Sequence, residues 1–429
     1  MKKGIVYIVF SVWFVVQGMA QEKFLGGDIS LLEAYIERDA KYYDESGSKI
    51  DNTLEYFKSQ EMNTMRVRLF VNPENATAQQ KGEGVFQDLE YVKKLGKRIK
   101  DAGMKFMLDF HYSDSWADPS KQFTPKAWLS LSDEELYSKV YEYTEDCLKQ
   151  LNEYGAAPDF IQTGNEISFG MLWGKEGGTY KSYYAGKNDN RERFTMLLKN
   201  AVKACRKVCP EAKVILHVER VADEKYTVDF FKDMEDAQVD YDIIGLSYYP
   251  TWHGLIPQLS KTLSEIETNF DKDIMIVEIG YYYAWMNTKD TYYKECYARW
   301  PVTENSNKGQ GDFIKATIEE LNQHSRVKGL FWWAMDQNEF GVTSTLLTSG
   351  WWNMSLFDNR TGRATSALPL LKNFVSGESS LSATHPDDIN HIKGIYNLSG
   401  QKVSKVSSRE IYIVDGEKVF YNSPSSAKE

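Results

Sequence analysis

The sequence predicts an α/β chain: a (β/α)8 TIM barrel followed by a small C-terminal β-module. Three observations predict it. Eight strand candidates, short runs rich in β-branched and apolar residues, recur along the chain, and helical patterns separate seven of them. Polar and aromatic residues fall repeatedly at the C-terminal ends of these runs, where barrel enzymes build their sites. Beyond Ser376 the chain changes character, passing through GESSLSATHPDD into a tail that repeats itself.

The chain has 429 residues, 42% hydrophobic and 26% charged, enough for one large core with an appendage. Its formal net charge is −10, which becomes −12 once Lys2 and Lys3 are removed with a leader. An acidic surface argues against nucleic acid or an anionic membrane as partner. It also disfavours polyanionic substrates such as pectate, which leaves neutral ligands. Aromatic residues make up 14%, with 11 Trp and 27 Tyr, more than a core needs. Packing is their default use, but flat sugar faces also stack on such rings, so the excess leans toward carbohydrate.

The N-terminus, MKKGIVYIVFSVWFVVQGMA, has a basic start, an apolar centre and small residues Gly18 and Ala20 placed for cleavage after Ala20. A signal peptide over 1–20 is expected, the alternative being an uncleaved anchor; no cysteine lies at the cleavage point to take a lipid. The expected destination is the periplasm or the exterior of a Gram-negative bacterium. Cys147, Cys205, Cys209 and Cys296 are too few for a disulfide framework, and no zinc spacing exists.

Residues 21–375 carry the barrel. KFLGGDISLLEAYIERD reads as a first strand and a helix capped by Asp28 or Ser30. A helix at Asn52 to Gln60 leads to MNTMRVRLFVNP, where Arg66, Arg68 and Phe70 share one face of the second strand. Two inward arginines either pair with buried carboxylates or reach a ligand. DLEYVKKLGKRIKDAG is an amphipathic helix, and KFMLDFHYSDSWADP is the third strand with a long loop. That loop gathers His111, Tyr112, Asp114, Trp116 and Asp118. A metal site is one reading of this density; a polar and aromatic sugar-binding loop fits better, because no His-x-His or second His cluster accompanies it.

A helix from Asp133 to Tyr154 delivers the fourth strand, PDFIQTGNE, with Asn165 before Glu166 and Trp173 beyond. A helix from Arg191 to Val208 precedes AKVILHVER, whose His217 is either a satisfied core histidine or a functional one. DYDIIGLSYYPTWHG is the sixth strand, ending at Tyr248 and Tyr249, with Trp252 and His253 in its loop. IMIVEIG is the seventh and carries Glu278. A helix from Asp312 to His324 then leads to VKGLFWWAMD, with Trp332 and Trp333. After a linker at 376–387, residues 388–429 hold IYNLSGQKV and IYIVDGEKV, each two short strands around a Gly turn, so a module of two hairpins is expected.

A glutamate at the end of a buried strand is costly to desolvate, and two of them on separate strands are the equipment of a glycoside hydrolase, one acid/base and one nucleophile. Three βα units separate Glu166 on strand four from Glu278 on strand seven, which puts them across the mouth of a closed ring. Two ordinary solvated strand-end glutamates are the plainer alternative, and the repeated polar and aromatic strand ends weigh against it.

HYSDSWADPSKQFTPKAW, QTGNEISFGMLW, GLSYYPTWHG and IVEIG together resemble the arabinogalactan endo-β-1,4-galactanase family of glycoside hydrolases, from roughly Gly26 to Leu371. The resemblance implies a retaining hydrolase with Glu166 as acid/base and Glu278 as nucleophile. It further implies Arg66 or Arg68, His111, Asn165, Tyr248 and Trp333 around the cleaved sugar, with β-1,4-galactan as partner and no cofactor. A monomer is expected. Two departures stand out: Ile279 where the family often has Thr, and Trp333-Ala334-Met335 where it often has Trp-Glu-Pro. Some bacterial members hold calcium after strand seven; YYYAWMNTKDTYYKE offers few converging oxygens, so none is expected here. The rival readings are a related barrel acting on β-mannan or β-glucan, and a non-catalytic glycan-binding protein on the same scaffold.

Overall fold

A computed structural model describes residues 22–187, 189–284, 306–348 and 353–376, and the backbone of short strands between 395 and 421. The leader at 1–20, Cys296, most of the linker and most of the stretch considered for calcium lie outside the described residues.

Eight parallel strands close into a barrel: β1 (Phe24–Asp28), β2 (Thr64–Leu69), β3 (Lys105–Phe110), β4 (Phe160–Thr163), β5 (Lys213–Val218), β6 (Ile243–Tyr248), β7 (Asp273–Ile279) and β8 (Val327–Trp332). Each pairs with its sequence neighbours, and β1 pairs with both β2 and β8 to complete the ring. Longer helices follow the strands, among them Leu89–Asp101, Asp133–Tyr154, Arg191–Val208 and Asn307–Leu321. Their ends are coded locally. Ser132 and Glu135 form a capping box on the second of these helices, Asp133–Tyr154, and Gly155 closes it with φ 82°; such a cap is worth about 1 kcal/mol. The last of them starts at Asn307 under a Ser306 cap and stops at Leu321, upstream of the expected span on both sides, because Ser306 supplies the N-terminal acceptor.

Alternation along the strands sorts two apolar populations. Met107, Phe160, Ile215, Ile243, Met275, Val277 and Phe331 meet inside the barrel as its floor. Leu25, Val67, Leu108, Ile161, Leu216, Leu246 and Ile276 face the helices in the larger core. Above the floor the inward positions turn polar: Asp28, Arg66, Asp109, Gln162, His217 and Ser247, all buried.

Two local features decide where that polar layer points. β1 lies so close to β2 that a Cβ at Gly26 would sit 1.6 Å from the Thr64 carbonyl oxygen. The glycine permits this approach, and Asp28 is thereby carried between two arginines. Asp28 and Ser30 do not cap the first helix, Leu32–Glu37, which has no side-chain cap; the carboxylate is taken by Arg66 and Arg68 instead. In β7 both neighbours register one extra residue between Ile276 and Ile279. Strict alternation from Met275 and Val277 would turn Glu278 outward; the bulge resets the phase and places Glu278 opposite Ser247, on the inside.

In the tail, β9 (Ile395–Tyr396) pairs antiparallel with β10 (Lys402–Val403) and with β11 (Glu410–Val414), which pairs with β12 (Glu417–Tyr421). Each sequence repeat therefore forms one hairpin of a four-stranded sheet.

Candidate active site

A cavity of about 890 Å³ opens at the C-terminal mouth of the barrel. Glu166 and Glu278 both line it, with Arg68, Trp116, Asp118, Asn165, Trp252 and Trp333. Arg66, His111 and His217 sit behind its wall, buried among the polar groups that hold the wall in place.

Arg66 is the hub. Its Nε donates to Gln162 Oε1 at 2.8 Å, and Nη2 donates to Asp109 Oδ2 at 2.8 Å and Asn165 Oδ1 at 2.9 Å. Asp28 lies 3.4 Å from Nη1, and Glu278 Oε1 lies 2.9 Å from Nη2. Burying one guanidinium among three carboxylates is feasible because charge and hydrogen bonds are both satisfied. Burial would push Asp109 up, but Arg66 and His111 overcome it and hold the carboxyl at about 2. Arg68 donates to Asp28 Oδ1 at 3.0 Å and lies under the Trp116 and Trp333 rings, 4.7 and 5.3 Å from their centres. The cation thus stiffens an aromatic wall. His111 Nδ1 accepts from the Ala117 amide at 3.0 Å, so it anchors the loop that carries Trp116 and Asp118.

The two glutamates have opposite surroundings. Glu278 Oε2 accepts from the Tyr249 hydroxyl at 2.8 Å, and Oε1 takes no hydrogen bond but rests against the Arg66 charge. Burial raises its pKa to about 7 against the pull of Arg66 and Tyr249. Glu166 stands in left-handed backbone, φ 47°, just past Gly164 at φ 107°, which swings its side chain over the mouth. Its Oε1 accepts from Ser247 Oγ at 2.7 Å, and Ser247 is in turn 2.8 Å from His217 Nε2. Desolvation, then the charges of Glu278 and Glu219, push Glu166 well above the carboxylate range. Burial and Arg66 keep His217 neutral. With Gln162 Nε2 donating to Nδ1, the network assigns the proton to Nε2, facing Ser247. Of the pair, Glu278 ionises first, since a cation and a phenol stabilise its carboxylate while Glu166 has one hydroxyl.

Two expected positions are corrected. Tyr248 is on the helix side of β6, stacked on Phe313 with its hydroxyl on the Gly254 carbonyl; alternation from inward Ser247 makes Tyr249 the residue that meets the substrate side. Trp173 is turned away from the cavity, its indole N–H donating to Phe169 O and its ring against Tyr180, after the chain doubles back at Gly170 and Leu172. The His111–Asp118 loop does not converge on a metal, and no group of three or more potential ligands does so among the described residues. Asp114 instead accepts from Asn75 and the Lys126 amide.

Sequence reasoning missed Asp28, Asp109, Gln162, Ser247, Tyr249 and Glu219. All lie on inward registers, and counting in twos from Ile215 through His217 reaches Glu219, which lines the cavity. The signal was present in the alternation.

Among known proteins, the glycosyl hydrolase family 53 description matches residues 24–371. An arabinogalactan endo-β-1,4-galactanase of Cellvibrio japonicus is 36% identical over 265 residues, 60% of this chain and 65% of that protein. An endo-β-1,4-galactanase of Bacillus subtilis is 31% identical over 269 residues, 63% of this chain and 59% of that protein. The chain thus spans less than two thirds of the length of these two relatives. A solved family 53 catalytic domain from Ignisphaera aggregans superposes with TM-score 0.73 at 30% identity, covering 84% of this chain and 98% of that one. A closed eight-stranded barrel with two glutamates facing one cavity, matched over nearly its whole length, makes the conclusion plain: the chain belongs to glycosyl hydrolase family 53.

Proposed function

We propose that the protein is an endo-acting β-1,4-galactanase that retains anomeric configuration, with Glu278 as nucleophile and Glu166 as acid/base. The observation that carries this is the asymmetry between the two carboxyls across one cavity. Glu278 has the guanidinium and phenol that favour the ionised form, and an oxygen with no hydrogen bond to spend on attack. Glu166 is kept protonated by burial and neighbouring negative charge, as a group that must protonate a leaving oxygen requires. Attack by Glu278 on the anomeric carbon, with Glu166 giving its proton to the glycosidic oxygen, forms a glycosyl-enzyme ester. Glu166 then takes a proton from water as it displaces Glu278, so configuration is retained.

A neutral β-linked hexose polymer suits the wall. Trp116 and Trp333, with centres 6.0 Å apart, present aromatic faces above Arg68, and the formal charge of −10 disfavours an acidic polymer. The cavity extends from Leu31 and Leu347 on one side to Arg220 and Trp252 on the other, so a chain can cross it rather than end in it. Galactan rather than mannan or glucan rests on the relatives' activities. No helix among the described residues is long and apolar enough to cross a membrane; export of a monomer after cleavage at Ala20 is part of the same proposal.

Incubation with linear β-1,4-galactan, β-mannan and cellulose tests it. Galactan alone is expected to yield reducing oligosaccharides of several lengths, the β-anomer appearing first by NMR. Release from mannan or glucan in preference, or initial α-product, would overturn the substrate or the mechanism respectively.

A further inference from the structure

Glu219 is a further carboxyl on the cavity wall that the two-glutamate mechanism does not use. It follows the last residue of β5, inward by the alternation that also turns Ile215 and His217 inside. Its Oε1 accepts from Ser168 Oγ at 2.7 Å, while Oε2 is buried with no donor. Next to it Arg220 lines the same wall, held against the Phe169 and Tyr226 rings at 5.4 and 5.3 Å, and its Nε is buried with no acceptor. An unmet acceptor beside an unmet donor on one stretch of cavity wall is a costly pair to keep unless a ligand meets both.

The sugar that Glu278 captures has to lie over Glu278 and Arg66, against the wall of Arg68, Trp116 and Trp333. The departing sugar lies beyond Glu166, the proton donor to the bond that breaks. In the barrel order the strand next to Glu166 on that side is β5. We infer that Glu219 and Arg220 hold the sugar on the leaving-group side, Glu219 Oε2 accepting from one of its hydroxyls and Arg220 donating to another of its oxygens. The site takes a neutral hexose, whose hydroxyls act as both donor and acceptor. Serving first the departing sugar and then an incoming acceptor, it favours transfer to sugar as well as hydrolysis. Burial, moderated by Ser168, keeps the Glu219 carboxyl at about 7, so near neutrality it can either accept from or donate to a hydroxyl.

This rests on the galactanase reading, and two substrates separate their failures. Wild type, Glu219→Gln and Ser168→Ala are compared on β-1,4-galactotetraose, which leaves a sugar, and on an aryl β-1,4-galactobioside, which leaves a phenol. For Glu219→Gln, kcat/KM on the tetraose is expected to fall roughly tenfold to a hundredfold, the worth of one hydrogen bond to a charged group. On the aryl substrate the fall is expected to be about threefold at most, and transfer to added galactose should decline in step with the tetraose. Ser168→Ala, which only frees Oε1, should shift the ratio of the two substrates in the same direction by less. Equal losses on both substrates, or none, would overturn the inference. If wild type cleaves neither substrate, the galactanase reading itself falls and takes the inference with it.

Discussion

At Glu278 two effects oppose each other. Burial favours the neutral acid, whereas Arg66 at 2.9 Å and the Tyr249 hydroxyl at 2.8 Å favour the carboxylate. In the proposed mechanism only the carboxylate attacks, so the acidic limb of kcat/KM against pH should report this ionisation. Tyr249→Phe removes a donor to the charged form, so the pKa of Glu278 rises and the acidic limb moves to higher pH, by roughly one unit. A limb that stays in place or moves down would mean that the phenol does not hold the nucleophile. Ser247→Ala acts on the other limb: losing the donor to Glu166 Oε1 raises Glu166 further, so the basic limb also moves up. Replacing Glu166 by Ala is expected to cost roughly 10²–10⁴ in kcat on galactan. The loss should be much smaller on an aryl galactoside, whose phenolate departs without a proton; equal losses on both would argue against the acid role.

Among the elements, β1 and β7 set the geometry, and they show how far the sequence could be read. Eight strands and most helices announce themselves through apolar runs and caps such as Ser132-x-x-Glu135, and Glu166 and Glu278 stand out because strand ends carry function in barrels. Orientation was less legible. Nothing in IMIVEIG signals an inserted residue, so alternation alone turns Glu278 toward the helices; the bulge is visible only in the register with β6 and β8. Tyr248 and Tyr249 are chemically alike, and only knowing that Ser247 faces inward separates them. Asp28 reads as a helix cap because the long-range pairing with Arg66 and Arg68 depends on the close approach of β1 to β2. That approach yields a prediction. Gly26→Ala would force a Cβ into a carbonyl 1.6 Å away, so the strand must shift and Asp28 with it. Urea unfolding is expected to show a loss of about 1–3 kcal/mol or more, accompanied by weaker catalysis in the fraction that folds. Wild-type stability in this variant would show that the strands have room to part.

Across the whole molecule, the site is assembled against the stability of the fold. Folding raises the pKa of Glu278 and of Glu219 from 4.5 to about 7. A carboxyl raised by folding binds its proton more tightly in the native state, so its contribution is fully present below about 4.5 and is lost as pH rises through about 7. Asp109 works the other way: held down at about 2, it contributes above its unfolded value near 3.8, and that contribution disappears as pH falls through about 2. Thermal stability is therefore expected to be highest near pH 4–5 and to decline toward pH 8, with self-repulsion of an acidic chain adding to the slope. Variants separate the two causes. Glu278→Gln and Glu219→Gln each change the net charge by one, yet each removes a carboxyl that resists ionising in place. Each should flatten the decline and be more stable than wild type at pH 8 by on the order of 1–3 kcal/mol, with little difference at pH 4. A surface control such as Glu55→Gln, on an exposed helical turn, should leave the slope almost unchanged. Parallel curves for all three variants would mean that these carboxyls ionise in the folded protein as they do in the unfolded chain, and that the fold gives up no stability to hold them.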